Sequence, residues 1–343
     1  MDQDQAALLN QVTVLTVTYN SSHCVPALAE GLRGVPHVIV VDNASGDDSC
    51  AAVSAALPRA TIIRMPRNQG YGVANNAGLA QVTTPYALLL NPDCLVTPAQ
   101  VAALVAHAQE WPDATIVAPQ LLESSGERQL NYSWPRDDWA PRTGGAEGPL
   151  NVGYACAAVM LLNMQQLGML TAEGVDSENA PQRGQFLTDS QAHSPAMGQE
   201  AGEKWTDAAH LQPTSLLPPR LLTHTGAFDP RFFLYYEDED LCLRIFKRHG
   251  QIIVVPDVQV THLSRGSVKG KTPLRSEYWR GFHHAQSKII FIDKHAGRTK
   301  ALQARRRLMT SSCANVLVRA ILISPKHLAR AFGRLRGVWQ LQL

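Results

Sequence analysis

Tyr86-Ala87-Leu88-Leu89-Leu90-Asn91-Pro92-Asp93 is an unbroken apolar run that stops at an Asn-Pro turn and an acid. Such a run reads as a strand covered on both faces, as in a parallel sheet. Outward from it, Val12 to Thr18, Val38 to Val41, Thr61 to Met65 and Thr115 to Ala118 read the same way. Between them, segments 23–33, 48–56, 72–81 and 98–110 read as helices, the last with Pro98 in its first turn and Thr97 as N-cap. Strands that alternate with helices predict an α/β fold, a Rossmann-like doubly wound sheet with helices on both faces.

The chain has 343 residues, 45% of them hydrophobic, enough for one large domain or two small ones. Six cysteines are scattered without a C-x-x-C pair, which argues against a zinc site or a disulfide framework and predicts a reducing compartment. Residues 1–11 are polar and acidic, unlike a signal peptide. No stretch reaches the ~18 apolar residues of a membrane span. A cytoplasmic protein is expected.

The net charge of +2 hides an asymmetry. After Asp293 there are 11 basic residues and no acidic one, which leaves 20 basic against 29 acidic residues before it. A basic tail on an acidic body predicts an anionic surface as partner. The tail's apolar stretch, Val316-Leu317-Val318 and Ala320-Ile321-Leu322-Ile323, is interrupted by Arg319. That favours lying on the cytoplasmic face of a membrane over spanning it; the plainer alternative is a solvated helical tail. Nucleic acid is not expected, because no aromatic residue is interleaved with these charges before Phe332.

From about 168 to 222 the periodicity disappears, and the segment reads as a flexible insert. Beyond it, Phe232-Phe233-Leu234-Tyr235-Tyr236 reads as a buried strand or its edge. Asp238 to Arg248 reads as a helix with an acidic first turn and Gly250 just beyond, Ile252 to Val255 as a strand, and 274–296 as a helix. The expected organisation is a catalytic-type domain over 1–296 and a basic helical tail over 297–343.

Three residues follow these apolar runs: Asp93, Asp238 within Glu237-Asp238-Glu239-Asp240, and His262. Strand ends are where open α/β sheets place ligands. Carboxylates and an imidazole gathered there can hold a divalent metal and provide a base, which suits breaking a bond to a nucleoside diphosphate and activating a hydroxyl. The loops after the first strands carry Thr18-Tyr19-Asn20-Ser21, Asp42-Asn43-Ala44-Ser45-Gly46-Asp47 and Arg67-Asn68-Gln69-Gly70-Tyr71-Gly72. Asp42 can accept the ring N–H of a uracil or thymine, and glycines let backbone approach a diphosphate. Each piece also has a structural reading: turn residues for the Asn and Gly, an Asn-Pro-Asp turn for Asp93, a packed histidine for His262, and helix N-terminal acids for 237–240. Four consecutive acids repel one another, which favours a site that serves a cation.

Together, Val17-Thr18-Tyr19-Asn20, Val41-Asp42-Asn43-Ala44-Ser45, Asn68-x-Gly70-Tyr71-Gly72 with Asn75-Asn76-x-Gly78, Leu90-Asn91-Pro92-Asp93, Tyr236-Glu237-Asp238-Glu239-Asp240 and His262 with Gly266 and Ser267 resemble the family 2 glycosyltransferases. The match runs in order over residues 12–295, apart from the insert, and is most similar to the rhamnosyltransferase-like branch that builds bacterial polysaccharides. The resemblance implies a GT-A fold and inverting transfer from a UDP- or dTDP-sugar to a hydroxyl of a lipid-linked or polysaccharide acceptor. It implies Asp93 and His262 as ligands of Mg²⁺ or Mn²⁺. It makes Asp238 the base, with Glu237 and Asp240 supporting. The donor set is Thr18, Tyr19, Asn20, Asp42, Asn43, Ser45, Asn68, Gly70, Asn76 and Asn91. Asn91 stands where many relatives have Asp, which lowers the charge offered to the metal. Two rival readings differ in class. A sugar-phosphate nucleotidyltransferase should carry a Gly-rich basic loop at Tyr19-Asn20-Ser21-Ser22, and none is there. A non-catalytic sugar-nucleotide-binding or scaffold protein would not need Asp93 and Asp238, and both are present.

Overall fold

The computed structural model describes residues 3–133, 148–171, 226–263 and 273–342. Six strands run parallel to one another. β1 (Val12–Thr18) pairs in parallel with β2 (His37–Asp42) and β4 (Tyr86–Leu90), and β2 with β3 (Thr61–Arg64). β6 (Ala114–Leu122) pairs in parallel with β11 (Gln251–His262). Between β4 and β6 lies β10 (Val159–Asn163), antiparallel to both, so the sheet is mixed. At the far edge β5 (Cys94–Leu95) runs antiparallel to the end of β11, and β8 (Leu150–Asn151) pairs with β11 further back. A separate ribbon pairs β7 (Tyr132–Ser133) with β9 (Tyr154–Ala155).

Alternate strand residues feed two cores, as the pleat requires. Val12, Val14, Val38, Val40, Leu88 and Leu90 face one side, where α5 (Pro98–Glu110) adds Val101, Leu104 and Val105. Leu15, Val17, Ile39, Val41, Ala87 and Leu89 face the other, under α4 (Tyr71–Leu79) and α7 (Glu237–Lys247). Helices therefore cover both faces, as the apolar runs predict. Thr97 caps α5 in a capping box with Gln100, a reciprocal pair that satisfies two amides of the first turn. The remaining α1 (Gln3–Leu9), α2 (Val25–Gly31), α3 (Ser49–Ala56) and α6 (Met164–Thr171) are short.

The last part of the chain is helical. α8 (Pro273–Ala296), α9 (Arg298–Ile321) and α10 (Pro325–Gln340) pack around Ala285, Ile289, Ala301 and Val338. A Cβ on Gly333 would lie 1.9 Å from the Tyr278 carbonyl oxygen, so glycine lets α10 lie directly on α8. Among the described residues, no helix is long and apolar enough to cross a membrane.

One expectation is corrected. Residues Phe232–Tyr236 form no strand. Tyr235 and Tyr236 both have left-handed backbone, φ 70° and 67°, which breaks any pleat. The segment is instead clamped from α8: His283 stacks on Phe233 at 4.4 Å, His284 packs on Tyr235 and Tyr236, and Ser287 Oγ donates to the Leu234 carbonyl at 2.9 Å. Gly266 and Ser267, and the insert beyond Thr171, lie outside the described residues.

Candidate active site

The parallel register places the polar loops side by side. Thr18 stands opposite Asp42, and Thr18 Oγ1 donates to Asp42 Oδ1 at 3.3 Å, while the Ser45 amide donates to Asp42 Oδ2 at 3.2 Å. Asn20, with left-handed backbone, accepts from the Gly46 amide at 2.7 Å and donates its own amide to Ser45 Oγ at 3.0 Å. Asn43 ties the next loop. Its Nδ2 donates to Asn68 Oδ1 and the Gly70 carbonyl, and its Oδ1 accepts from the Gln69 amide. Gly70, at φ 90°, leaves no room for a Cβ against the Phe233 carbonyl. Thr18, Asn20, Asp42, Asn43, Ser45, Asn68 and Gly70 thus form one connected rim, and Tyr19 is exposed beside it.

Asn76 departs from that rim. Its Nδ2 donates to the Phe228 carbonyl at 2.7 Å and its Oδ1 accepts from the Phe228 amide at 2.9 Å. Both amide atoms clamp the chain that leads into α7, a structural duty that the rim residues do not share.

Asp93 follows β4 and is 2% exposed. The ladder that sets Cys94 opposite His262 brings the histidine to it, with Nε2 3.7 Å from Asp93 Oδ1. Gln129 orients the ring: its Nε2 donates to the His262 carbonyl at 3.0 Å, which leaves its Oε1 to accept from Nδ1–H, also at 3.0 Å. Gln129 Oε1 can only accept, so Nδ1 donates to it and Nε2 is turned toward the Asp93 carboxylate, an oxygen and a nitrogen spaced to hold a cation. Asp93, Cys94 and His262 offer ligand atoms within 4.8 Å of one another. Burial, reinforced by the Asp93 charge, pushes the Cys94 thiol well up, so the oxygen and nitrogen donors are the ones ready for a hard divalent ion. An oxygen and a nitrogen donor at this spacing fit Mg²⁺ or Mn²⁺.

Asp238 sits in the first turn of α7. Its Oδ2 accepts from Tyr154 Oη at 3.0 Å and the Ala157 amide at 3.3 Å, and its Oδ1 from the Glu239 amide at 3.0 Å. Burial pushes its carboxyl up, and these hydrogen bonds pull back only part of the way. A basic carboxylate follows, as proton abstraction needs. Burial and the neighbouring Asp238 charge push Glu237 well above the carboxylate range, and Glu239 to about 8. Asp240 faces elsewhere. It is wholly buried and bonded to Arg244 at 2.9 Å, Lys294 at 2.6 Å and His295 at 2.8 Å. Burial opposes its charge, but the hydrogen bonds from His295 and Lys294 and the Arg244 charge hold its carboxyl below the usual range. Asp240 thereby fastens α7 to α8.

The backbone of Ala157 and Ala158 joins the two halves. The Ala158 carbonyl accepts from the Asn91 amide at 2.8 Å on the Asp93 side. The Ala157 amide serves Asp238, and the Ala157 carbonyl accepts from Tyr71 Oη at 2.8 Å. Gln129, Tyr154 and this small-residue segment carried no expectation from the sequence, and Tyr71 entered there only as part of the Asn68–Gly72 loop. Only Tyr154-Ala155-Cys156-Ala157-Ala158, small residues ahead of the apolar Val159–Leu162, signalled a close approach.

A mixed sheet wound on both sides, with an acid after the fourth strand and a second acid opening a helix, is consistent with the GT-A class of glycosyltransferase fold. The sequence model of Glycosyl transferase family 2 matches residues 13–162. These residues carry the family 2 glycosyltransferase sequence pattern, and the chain is a glycosyltransferase. It is 23% identical over 297 residues, 77% of each chain, to the N-acetylglucosaminyl-diphospho-decaprenol L-rhamnosyltransferase of Mycobacterium tuberculosis H37Rv. It is 30% identical over 133 residues, 39% of this chain and 55% of the other, to an uncharacterized glycosyltransferase of Mycobacterium bovis. The fold matches that of a mannosyltransferase from Pyrobaculum calidifontis, solved with GDP-Man and Mn²⁺, at TM-score 0.51 and 13% identity over 97% of this chain and 88% of that one.

Proposed function

We propose that this enzyme transfers a sugar, with inversion, from a UDP- or dTDP-sugar to a hydroxyl of a lipid-linked acceptor, and that a divalent cation assists. The observation that carries this reading is the Ala157–Ala158 joint, which fixes the Asp93 turn and the Asp238 helix to one short piece of backbone. A base and a diphosphate site held by the same rigid segment suit a single displacement, where both ends of the reaction must be positioned at once.

Asp42 and the Thr18–Ser45 rim would receive the base and ribose, and the Gly70 backbone would approach the diphosphate. Asp93 and His262 would hold Mg²⁺ or Mn²⁺, which supplies neutralisation of the charge that develops on the leaving diphosphate. Asp238 takes the proton of the acceptor hydroxyl, whose oxygen forms the new bond to the anomeric carbon as the bond to the diphosphate breaks. The Tyr154 hydroxyl and the Ala157 amide hold Asp238 in place and stay bonded to it. Similarity to a rhamnosyltransferase named for a decaprenyl-diphosphate-linked acceptor supports an acceptor of that class and a rhamnosyl-type donor. On this reading the enzyme works in the cytoplasm, at the surface of the membrane that holds the acceptor.

Thermal shift with a panel of nucleotide sugars tests it. With Mn²⁺ present, the correct donor at about 100 times its Kd stabilises the fold by about 2.7 kcal/mol. Asp93→Ala should lose the part that depends on Mn²⁺. A full panel without any shift contradicts the reading, and donor binding without slow donor hydrolysis would favour a non-catalytic binding role.

A further inference from the structure

Among the described residues, the tip of the α9–α10 hairpin carries the most exposed run of apolar side chains. Leu317 is 67% exposed, Ile321 79%, Leu322 61% and Ile323 85%. Val318 and Ala320 are exposed too, so the apolar surface runs round the tip and is not confined to one face. A groove in a protein partner needs a single face. A hydrocarbon layer receives a tip from every side.

The backbone gives a second sign. Ile323 has φ 46°, a left-handed conformation that a β-branched residue rarely adopts and that glycine or asparagine fills without strain. Folding alone does not favour isoleucine there. Charge gives a third. Lys326 lies just past the turn and is exposed, Arg319 interrupts the tip, and no acid follows Asp293 anywhere in the chain. The exposed side of α10 continues the same chemistry with Phe332, Arg336 and Trp339.

We infer that the α9–α10 tip is an interfacial anchor whose Leu317, Ile321, Leu322 and Ile323 side chains insert into an anionic lipid bilayer, with Arg319 and Lys326 at the headgroups. Arg319 reaches back to the phosphates with its aliphatic stem in the acyl layer, which sets a shallow depth. The inference deepens the lipid-linked acceptor reading, whose enzyme must work against a membrane, but it is tested without donor or acceptor.

The full chain is sedimented with vesicles of phosphatidylcholine alone and with vesicles containing about one-third phosphatidylglycerol, where each basic residue at the surface contributes about fivefold to binding. The expected result is strong binding to the anionic vesicles and weak binding to the neutral ones. Ile321→Asp, at an exposed position, should keep the melting temperature and lower binding at least about 10-fold. Lys326→Glu reverses a charge and should lower it by about 25-fold at low salt. Ile323→Gly separates the anchor from the fold: it relieves the left-handed strain, so the melting temperature should hold or rise while vesicle binding falls. A parent chain that binds neither vesicle overturns the inference, as does an Ile321→Asp variant that binds like the parent. A dimer in lipid-free buffer that Ile321→Asp dissolves also overturns it, by assigning the tip to a second copy. Because no sugar is transferred in this experiment, its failure leaves the transfer reading standing, and the reverse holds.

Discussion

Asp238 and Asp240 are two residues apart on one helix, and the account assigns them opposite sensitivities. Asp240→Asn replaces a carboxylate that is wholly buried among Arg244, Lys294 and His295 with a neutral amide. Breaking a buried ion cluster from one side costs about 3–5 kcal/mol. Lys294 keeps Asp229 at 2.7 Å, so the lower end applies. At about 2–4 °C per kcal/mol for a chain of this order, the melting temperature should fall by about 6–12 °C at neutral pH. The sign with pH is set by the depressed carboxyl. Its stabilisation is present above the unfolded carboxylate value of about 3.9 and is lost as pH falls through the folded value, so wild type and Asp240→Asn should converge in acid. Asp238→Asn should behave differently. Oδ1 of the asparagine can keep the Tyr154 and Ala157 bonds, and the loss at the Glu239 amide, about 1 kcal/mol, is offset by removing a charge that crowds Glu237 and Glu239. Its melting temperature should stay within a few degrees of the parent while kcat falls on the order of 10² or more. Differential scanning calorimetry with donor turnover on both variants decides. A stable, inactive Asp240→Asn beside an unstable, active Asp238→Asn would refute the assignment.

Other consequences are equally direct. Gln129→Leu removes the group that orients His262 and should weaken Mn²⁺ binding about 10–100-fold, read by titration followed with electron paramagnetic resonance; unchanged affinity would show that the ring needs no orientation. Asn76→Ala loses two hydrogen bonds to the Phe228 backbone and should cost about 2 kcal/mol in chemical denaturation, with donor affinity nearly unchanged; a large loss of affinity would return Asn76 to the donor site. Glu239, pushed up to about 8, keeps a proton that the unfolded chain gives up. Its share of stability is full below about 4.5 and lost as pH rises through about 8. Glu239→Gln should flatten that decline in a pH series of melting temperatures, and an unaltered slope would place the titration elsewhere.

The parallel strands were legible because each is a local apolar run, and β1, β2, β3 and β4 each lead on to a helix. β10 was not. Val159–Asn163 is a short run whose partners, Tyr86–Leu90 and Ile116–Val117, lie far away in the chain, and no local pattern announces an antiparallel strand between them. Phe232–Tyr236 misled because its aromatic residues favour strands, while its conformation is decided by rings and a hydroxyl contributed by α8, some fifty residues later. At the site, Asp93, Asp238 and His262 stood out as polar residues at the ends of apolar runs. Gln129 and Tyr154 carry no such flag: each is one polar residue in an irregular stretch, and its role exists only through a partner that the fold brings near. Asn43 and Asn76 show the converse limit, since composition reveals the presence of amides but not whether their atoms are bonded within the loops.

The central claim is metal-assisted single displacement with Asp238 as base. The measurement that tests it most directly is proton NMR of the anomeric centre during transfer by the native enzyme, run with Mn²⁺, with excess chelator and with Asp238→Asn. The account predicts a product of opposite anomeric configuration to the donor, formed only with the metal and slowed on the order of 10² or more by the substitution. A product that retains the donor configuration, or undiminished transfer in chelator, would contradict it.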